Sequence, residues 1–229
     1  MKNFWRIIKY LLAMTVMIAL VIILAACATI PYSQDIPEKV VEWNETNSWK
    51  VIAGETTGTT FWLTEDTLIT ACHIVDEVEK IFVQSPNKDH LVSVEKVACS
   101  SVYDLALLKF NDEPIDFKPL PTIIAPEMPR RGTVLYSGGY ALGKSMMLTK
   151  GYLQTQQDKG YITSVSTVGG DSGAPVVMFK DGKVLVVGVR VAVMVLPMGL
   201  FKDIITHISR MKGSAQLIEF LKENGQVYT

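Results

Sequence analysis

In a chain of 229 residues, 22 basic side chains nearly cancel 23 acidic ones, so no charge excess draws it to nucleic acid or to a strongly charged partner. The length allows one large domain or two small ones, and three cysteines are too few for a scaffold built on disulfides. The apolar share is 48%, and much of the excess lies at the amino terminus.

There Lys2, Arg6 and Lys9 precede a run without charge from Leu11 to Ala26, which ends in Leu24-Ala25-Ala26-Cys27. A basic region, an apolar core and small residues make a secretory signal. The Leu-Ala-Ala-Cys ending resembles the bacterial lipobox, whose cysteine is lipidated and becomes the mature amino terminus. That makes Cys27 the lipidation candidate. Two other readings stay open. One is simple cleavage. The other is an uncleaved anchor, because Tyr10 to Ile30 is uncharged and about long enough to cross a bilayer. Lipid or anchor holds the following domain on a membrane, outside the cytoplasm, and the three basic residues favour a cytoplasmic amino terminus. Residues 28–47 contain Pro31, Pro37 and many polar side chains without a period, which predicts a tether.

From Trp49 onward the texture is β. Thr59 to Leu63 and Leu68 to Ala71 flank Glu65-Asp66 and predict a hairpin that runs into Cys72-His73-Ile74-Val75. His73, at a strand end, faces either a cleft or solvent. Of the other histidines, His90 falls in a polar loop and His207 in an amphipathic segment. Ile81 to Val83 and Leu91 to Val94 read as two more strands. Asp104 then opens the apolar run Leu105 to Phe110. An acid at the mouth of a buried strand is partly desolvated and needs a partner such as an imidazole N–H. A capping aspartate would look the same.

Five prolines between Pro114 and Pro129 mark a connection, and Val134 to Gly139 and Tyr161 to Val165 are strands beyond it. Gly169-Gly170-Asp171-Ser172-Gly173-Ala174-Pro175 follows. Gly170 and Gly173 accept backbone conformations that a Cβ resists. Such a turn can aim the N–H groups of Gly170 and Ser172 at one spot, where they would hold the oxyanion formed when a serine attacks a carbonyl. A polar glycine-rich loop is the plain alternative. Two strands, Pro175 to Phe179 and Val184 to Val193, flank an Asp181-Gly182 turn. Arg190 is a charge inside the second of them, expensive unless paired. Ile204, Ile205 and Ile208, then Leu217, Ile218 and Leu221, have helical spacing and predict helix over about 202–224.

Taken together, three stretches resemble motifs of the chymotrypsin-like (trypsin-fold) serine peptidases. Thr70-Ala71-Cys72-His73 matches Thr-Ala-x-His. Asp104-Leu105-Ala106-Leu107-Leu108 matches Asp-(Ile/Leu)-Ala-Leu-(Leu/Val). Gly170-Asp171-Ser172-Gly173-Ala174-Pro175 matches Gly-Asp-Ser-Gly-Gly-Pro, with Ala174 departing mildly. The order His, Asp, Ser is also the family's. The resemblance implies an all-β fold of two six-stranded antiparallel barrels, over about 48–115 and 130–200. A closing helix over about 202–224 follows them, and the signal or anchor segment 1–27 precedes them. It implies Ser172 as nucleophile, His73 as general base and then acid, Asp104 as the residue that orients His73, and Gly170 and Ser172 as the oxyanion hole. Neither a cofactor nor a metal is required by this acyl-enzyme route. The partner is a protein or peptide substrate.

Glutamyl endopeptidases carry a histidine at the place of Arg190 and a Ser/Thr at the place of Thr167. This implies an acidic residue before the scissile bond, at P1, since a guanidinium suits a carboxylate. That Arg190 points outward, or pairs with an internal acid, stays open. Cys72 and Cys99 lie on segments that are neighbours in this fold, so they either pair or stay as two buried thiols. Trypsin-like zymogens mature when a new amino terminus pairs with the acid before the serine, here Asp171. The one Ile/Val-rich candidate begins at Val51, too close to His73. The chain more resembles the short bacterial and viral members that need no such cut, which leaves the partner of Asp171 open. The function implied is a membrane-tethered serine endopeptidase of the cell envelope, on its periplasmic or extracellular side. The alternative is a catalytically silent protease-like scaffold.

Overall fold

The β-branched and aromatic runs close into two barrels. The computed structural model describes residues 36–86, 91–111, 117–157, 160–198 and 201–226, without the side chains of 193–198 and 201–207. Cys27, the leader, the first part of the expected tether and His90 lie outside the described residues.

The first barrel is built from β1 (Ser48–Ala53), β2 (Thr56–Trp62), β3 (Thr67–Thr70), β4 (Ile81–Gln84), β5 (Leu91–Ser100) and β6 (Leu105–Phe110). Its strands follow the order β1-β2-β3-β6-β5-β4, and β1 pairs with β4 to close it. The second sheet adds β7 (Ile123–Ile124), β8 (Val134–Gly139), β9 (Met147–Gln157), β10 (Gly160–Thr163), β11 (Pro175–Lys180), β12 (Lys183–Met198) and β13 (Phe201–Gly213). Six of these strands close through the β11–β12 pairing, while β7 lies parallel to β12 at the rim. The Asp181-Gly182 turn between β11 and β12 has positive φ at both residues, 50° and 75°, as a tight hairpin of this twist requires.

Strand alternation explains how one short segment serves two cores. Trp62, Leu68, Ala106 and Leu108 point into the first barrel, around Trp49. Their neighbours Phe61, Ile69, Leu105 and Leu107 point the other way and meet Tyr136, Val177, Val186 and Val189 of the second barrel. The near-continuous apolar run after Asp104 is thus a strand buried on both faces. An aromatic cluster fills the first barrel, with Trp49 and Trp62 edge to face at 5.2 Å and Phe110 stacked on Trp62 at 4.9 Å.

Two expectations change. Glu38–Asn47, expected as tether, is helix α1, packed on the domain by buried Val40, Trp43, Asn44 and Asn47. Its fit is polar as well as apolar, because Asn44 Oδ1 accepts from Gly138 N at 2.9 Å and Asn47 exchanges bonds with Leu120. A second helix, α2, is the single turn Cys72–Val75. The closing helix, α3, covers only Ser214–Glu223. Phe201–Gly213, expected as helix, is strand β13, which supplies the sixth strand of the second barrel between β10 and β12. Isoleucines at 204, 205 and 208 satisfy a helical period, but their β-branched chains also suit a strand, and barrel closure decided between them.

Candidate active site

The His73 side chain is placed by α2, which starts where β3 ends. Asp104 stands just before β6, the strand paired with β3, so the two residues meet across that pairing. His73 Nδ1 lies 2.9 Å from Asp104 Oδ2 and 3.0 Å from Oδ1, and Oδ1 also accepts from the His73 backbone N–H at 3.0 Å. This double grip fixes both the ring and the backbone that carries it. Asp104 has φ +53°, a left-handed conformation that aspartate tolerates better than most residues with a side chain. With Nδ1 donating to the carboxylate, Nε2 is left as the acceptor of a proton. The pair is partly open to solvent, His73 at 43% and Asp104 at 24% side-chain exposure.

Ser172 comes from the second barrel, and the first barrel holds its turn. Thr59 of β2 donates its N–H to the Ser172 carbonyl at 2.8 Å and its hydroxyl to the Gly170 carbonyl at 2.9 Å. The same hydroxyl accepts from Tyr140 N at 2.9 Å. Gly173, at φ +85°, packs so closely that a Cβ would strike Thr59 O and Thr70 Oγ1 and lie 2.9 Å from Ala71 N. The Ser172 turn is thereby pressed against the residues shortly before His73. Gly170, at φ +95°, leaves no room for a Cβ against Tyr140 O.

Three N–H groups of this turn have protein acceptors: Asp171 to Val168 O at 3.2 Å, Gly173 to Arg190 O at 2.7 Å and Ala174 to Asp171 O at 3.0 Å. Among the described residues, the N–H groups of Gly170 and Ser172 have none. Ser172 Oγ likewise makes no hydrogen bond to His73 or to another described residue. The turn therefore keeps free the two donors that an oxyanion would use.

Thr167 is buried beside the turn and lines a small recess of about 50 Å³ with Met147, Thr149, Ser166, Val168 and Asp171. Arg190 does not open onto a substrate. It is 1% exposed and its Nη1 lies 2.9 Å from Asp171 Oδ2, while Nη2 donates to Thr149 Oγ1 at 3.3 Å. Burial lowers the Arg190 pKa and the adjacent Asp171 carboxylate opposes that shift. Of the readings left open for Arg190, the structure shows the pairing with an internal acid. Its charge already has a carboxylate partner, and that partner is the acid left open in the sequence.

Cys72 and Cys99 form a disulfide that ties α2, and hence the residue before His73, to β5. Of the residues that hold the site, Thr59 and Thr149 escape a sequence reading. Thr59 contacts a turn 111 residues away, and in sequence it is one of many threonines in a strand.

The trypsin-like peptidase domain model matches residues 58–189, more than half of the chain, a stretch that includes His73, Asp104 and Ser172. No curated protein matches the chain in sequence. Among solved structures, an inactive form of Rv3671c from M. tuberculosis H37Rv is similar with TM-score 0.69 at 19% identity, over 85% of this chain and 93% of that one. The active form of the Rv3671c protease gives 0.67 at 19%, over 82% and 85%. A serine endoprotease from Yersinia pestis gives 0.67 at 18%, over 84% and 70%. At these identities the structural likeness speaks for the fold. With the family model matched across His73, Asp104 and Ser172, the chain belongs to the trypsin-like peptidase domain family and is a serine endopeptidase.

Proposed function

We propose that the protein is a membrane-tethered endopeptidase of the cell envelope that cuts peptide bonds through Ser172, His73 and Asp104. Ser172 Oγ attacks the scissile carbonyl and its proton passes to His73 Nε2. Asp104 keeps the His73 proton on Nδ1 and balances the imidazolium. The N–H groups of Gly170 and Ser172 receive the oxyanion of the tetrahedral intermediate. Collapse of that intermediate releases the amine, which takes its proton from His73 and leaves an acyl-enzyme on Ser172. Water, deprotonated by His73, then hydrolyses the acyl group.

The observation that carries this reading is the bidentate approach of Asp104 to His73 Nδ1, beside a turn whose two central donors are free. The missing hydrogen bond between His73 and Ser172 favours the second reading, a silent scaffold. Yet catalytic hydrogen bonds often tighten only when substrate is bound. A fluorophosphonate probe separates the two, since it phosphonylates only an activated serine. The wild-type chain should be labelled and Ser172→Ala should not. A folded wild type that resists the probe and cuts no peptide library supports the scaffold.

We do not extend the proposal to an acidic P1 residue. The recess beside Thr167 has Asp171 among its lining residues, and the Arg190 guanidinium already pairs with the Asp171 carboxylate. A small uncharged P1 side chain suits this recess. A library digest that cuts after Glu or Asp would restore the acidic reading. The tether rests on the leader and Cys27 alone. Metabolic labelling with palmitate should mark the wild type and not Cys27→Ala, and the absence of lipid on both would leave an anchor or simple cleavage.

A further inference from the structure

Behind the nucleophile turn lies a pair of buried charges that the triad does not use. Asp171 and Arg190 are 5% and 2% exposed at their side chains. Removing one of them would strand the other charge in an apolar surrounding, so each constrains where the other can be.

We propose that Arg190 is the built-in positioning residue of this site: its guanidinium holds Asp171, and through Asp171 it holds the Gly170–Ser172 turn in the shape that presents both free N–H groups. The inference rests on the reading of Ser172 as nucleophile. Arg190 grips the turn in three places. Nη1 lies 2.9 Å from Asp171 Oδ2, the Arg190 carbonyl accepts from Gly173 N at 2.7 Å, and the Arg190 N–H donates to Ala174 O at 2.9 Å. The contacts therefore lie on both sides of Ser172. Asp171 Oδ2 also accepts from Val168 N at 2.9 Å, which pins the start of the turn. The far side of the guanidinium is fixed in turn. Nη2 donates to Thr149 Oγ1, and that hydroxyl reaches Ser137 O at 3.2 Å in the neighbouring strand.

A cation at this place decides how the site becomes competent. A newly cut amino terminus could serve Asp171 only after cleavage, and an α-amine loses its charge near pH 8. Arg190 arrives with β12 as the barrel closes and stays charged across the working range. Competence is then a result of folding, not of processing.

The test compares the full-length chain with Arg190→Met, Arg190→Lys and Asp171→Asn, with kcat and KM measured on one ester substrate and active serines titrated with fluorophosphonate. Arg190→Met and Asp171→Asn should lower kcat at least 100-fold with KM within threefold of wild type. Arg190→Lys should recover most of that loss, because an ammonium can replace the charge though not the fork. If Arg190→Met does not fold, the double variant Asp171→Asn/Arg190→Met removes both charges at once and should fold but remain at least 100-fold slow. A folded Arg190→Met or double variant with kcat within twofold of wild type overturns the proposal. So does a lysine variant as slow as the methionine variant. Amide exchange over residues 168–174, measured in the Ser172→Ala background, reads the same claim without catalysis. Arg190→Met should speed it at least tenfold, and unchanged exchange overturns the positioning role. A wild type without Ser172-dependent labelling defeats the proposed function, whereas the exchange result still decides the role of Arg190.

Discussion

The site depends on a few positions where a single atom has no room to be added. Gly173 is the sharpest of them, since its left-handed backbone sits against Thr59 O, Thr70 Oγ1 and Ala71 N. Gly54 is also left-handed, at φ +59°, but has nothing within 4 Å. Gly54→Ala should cost only the backbone strain of about 1–2 kcal/mol. Gly173→Ala must in addition push two barrels apart, so its denaturation midpoint should fall well below that of Gly54→Ala and fluorophosphonate labelling should be lost. Equal midpoints for the two variants would contradict the packing described here. At this scale the sequence was readable where chemistry selects a residue type. His73, Asp104, Ser172, Gly170 and Gly173 stand in motifs because each proposed role accepts few side chains. Thr59 was not readable, because a threonine that ties a distant turn and one that merely fills a strand look the same. Arg190 was readable as an anomaly, a charge in an apolar strand, while its partner was not. The carboxylate of a substrate and that of Asp171 are chemically the same ligand.

The elements around the site divide into those the pattern revealed and those that packing decided. Helix α1 is the clearest of the second kind. Its residues show no strong apolar stripe, yet Val40 is fully buried and Trp43 is buried against Phe61 in the core between the barrels, with Trp43 Nε1 donating to Pro121 O. Trp43→Ala should destabilise the domain by about 3–5 kcal/mol in equilibrium unfolding, whereas a true tether would show no effect. Helix α3 adds Leu217, Phe220 and Leu221, all fully buried, to the same core. Tyr103, the residue before Asp104, donates its hydroxyl to Glu223 Oε1 at 3.0 Å and packs its ring on Phe220. Desolvation, then the hydrogen bond to Glu223 and the charges of Glu219 and Glu223, push its pKa up to about 12. The folded state thus holds a proton that the unfolded chain releases near pH 10. Stability from this contact is present below about pH 10 and fades as pH rises towards about 12. Spectrophotometric titration of the wild type against Tyr103→Phe should show one phenol ionising late, and its absence would remove the contact.

At the scale of the whole molecule, the proposed catalytic parts belong to different barrels and meet because the barrels share a core. Phe61 and Ile69 from one barrel and Val177 and Val189 from the other lie in one apolar cluster. The disulfide adds a covalent tie on the histidine side, closing a loop with a sequence separation of 27. Loop-closure entropy for that length gives about 3.5 kcal/mol. Reductant, or Cys99→Ser, should lower the unfolding free energy by about that amount, and an unchanged denaturation curve would show the tie to be without effect. Such a bond persists in an oxidising compartment, in keeping with the location outside the cytoplasm proposed above. The sequence by itself determined the strand texture, the order of the three motifs and the residue types of the chemistry, because alternation and reaction chemistry act locally and leave local marks. Only the tertiary structure decided that Phe201–Gly213 is a strand, that Glu38–Asn47 belongs to the domain, that Cys72 meets Cys99 and that Arg190 answers Asp171. Each of these is settled by what a segment finds across the fold when the barrels close, and no spacing along the chain encodes that partner.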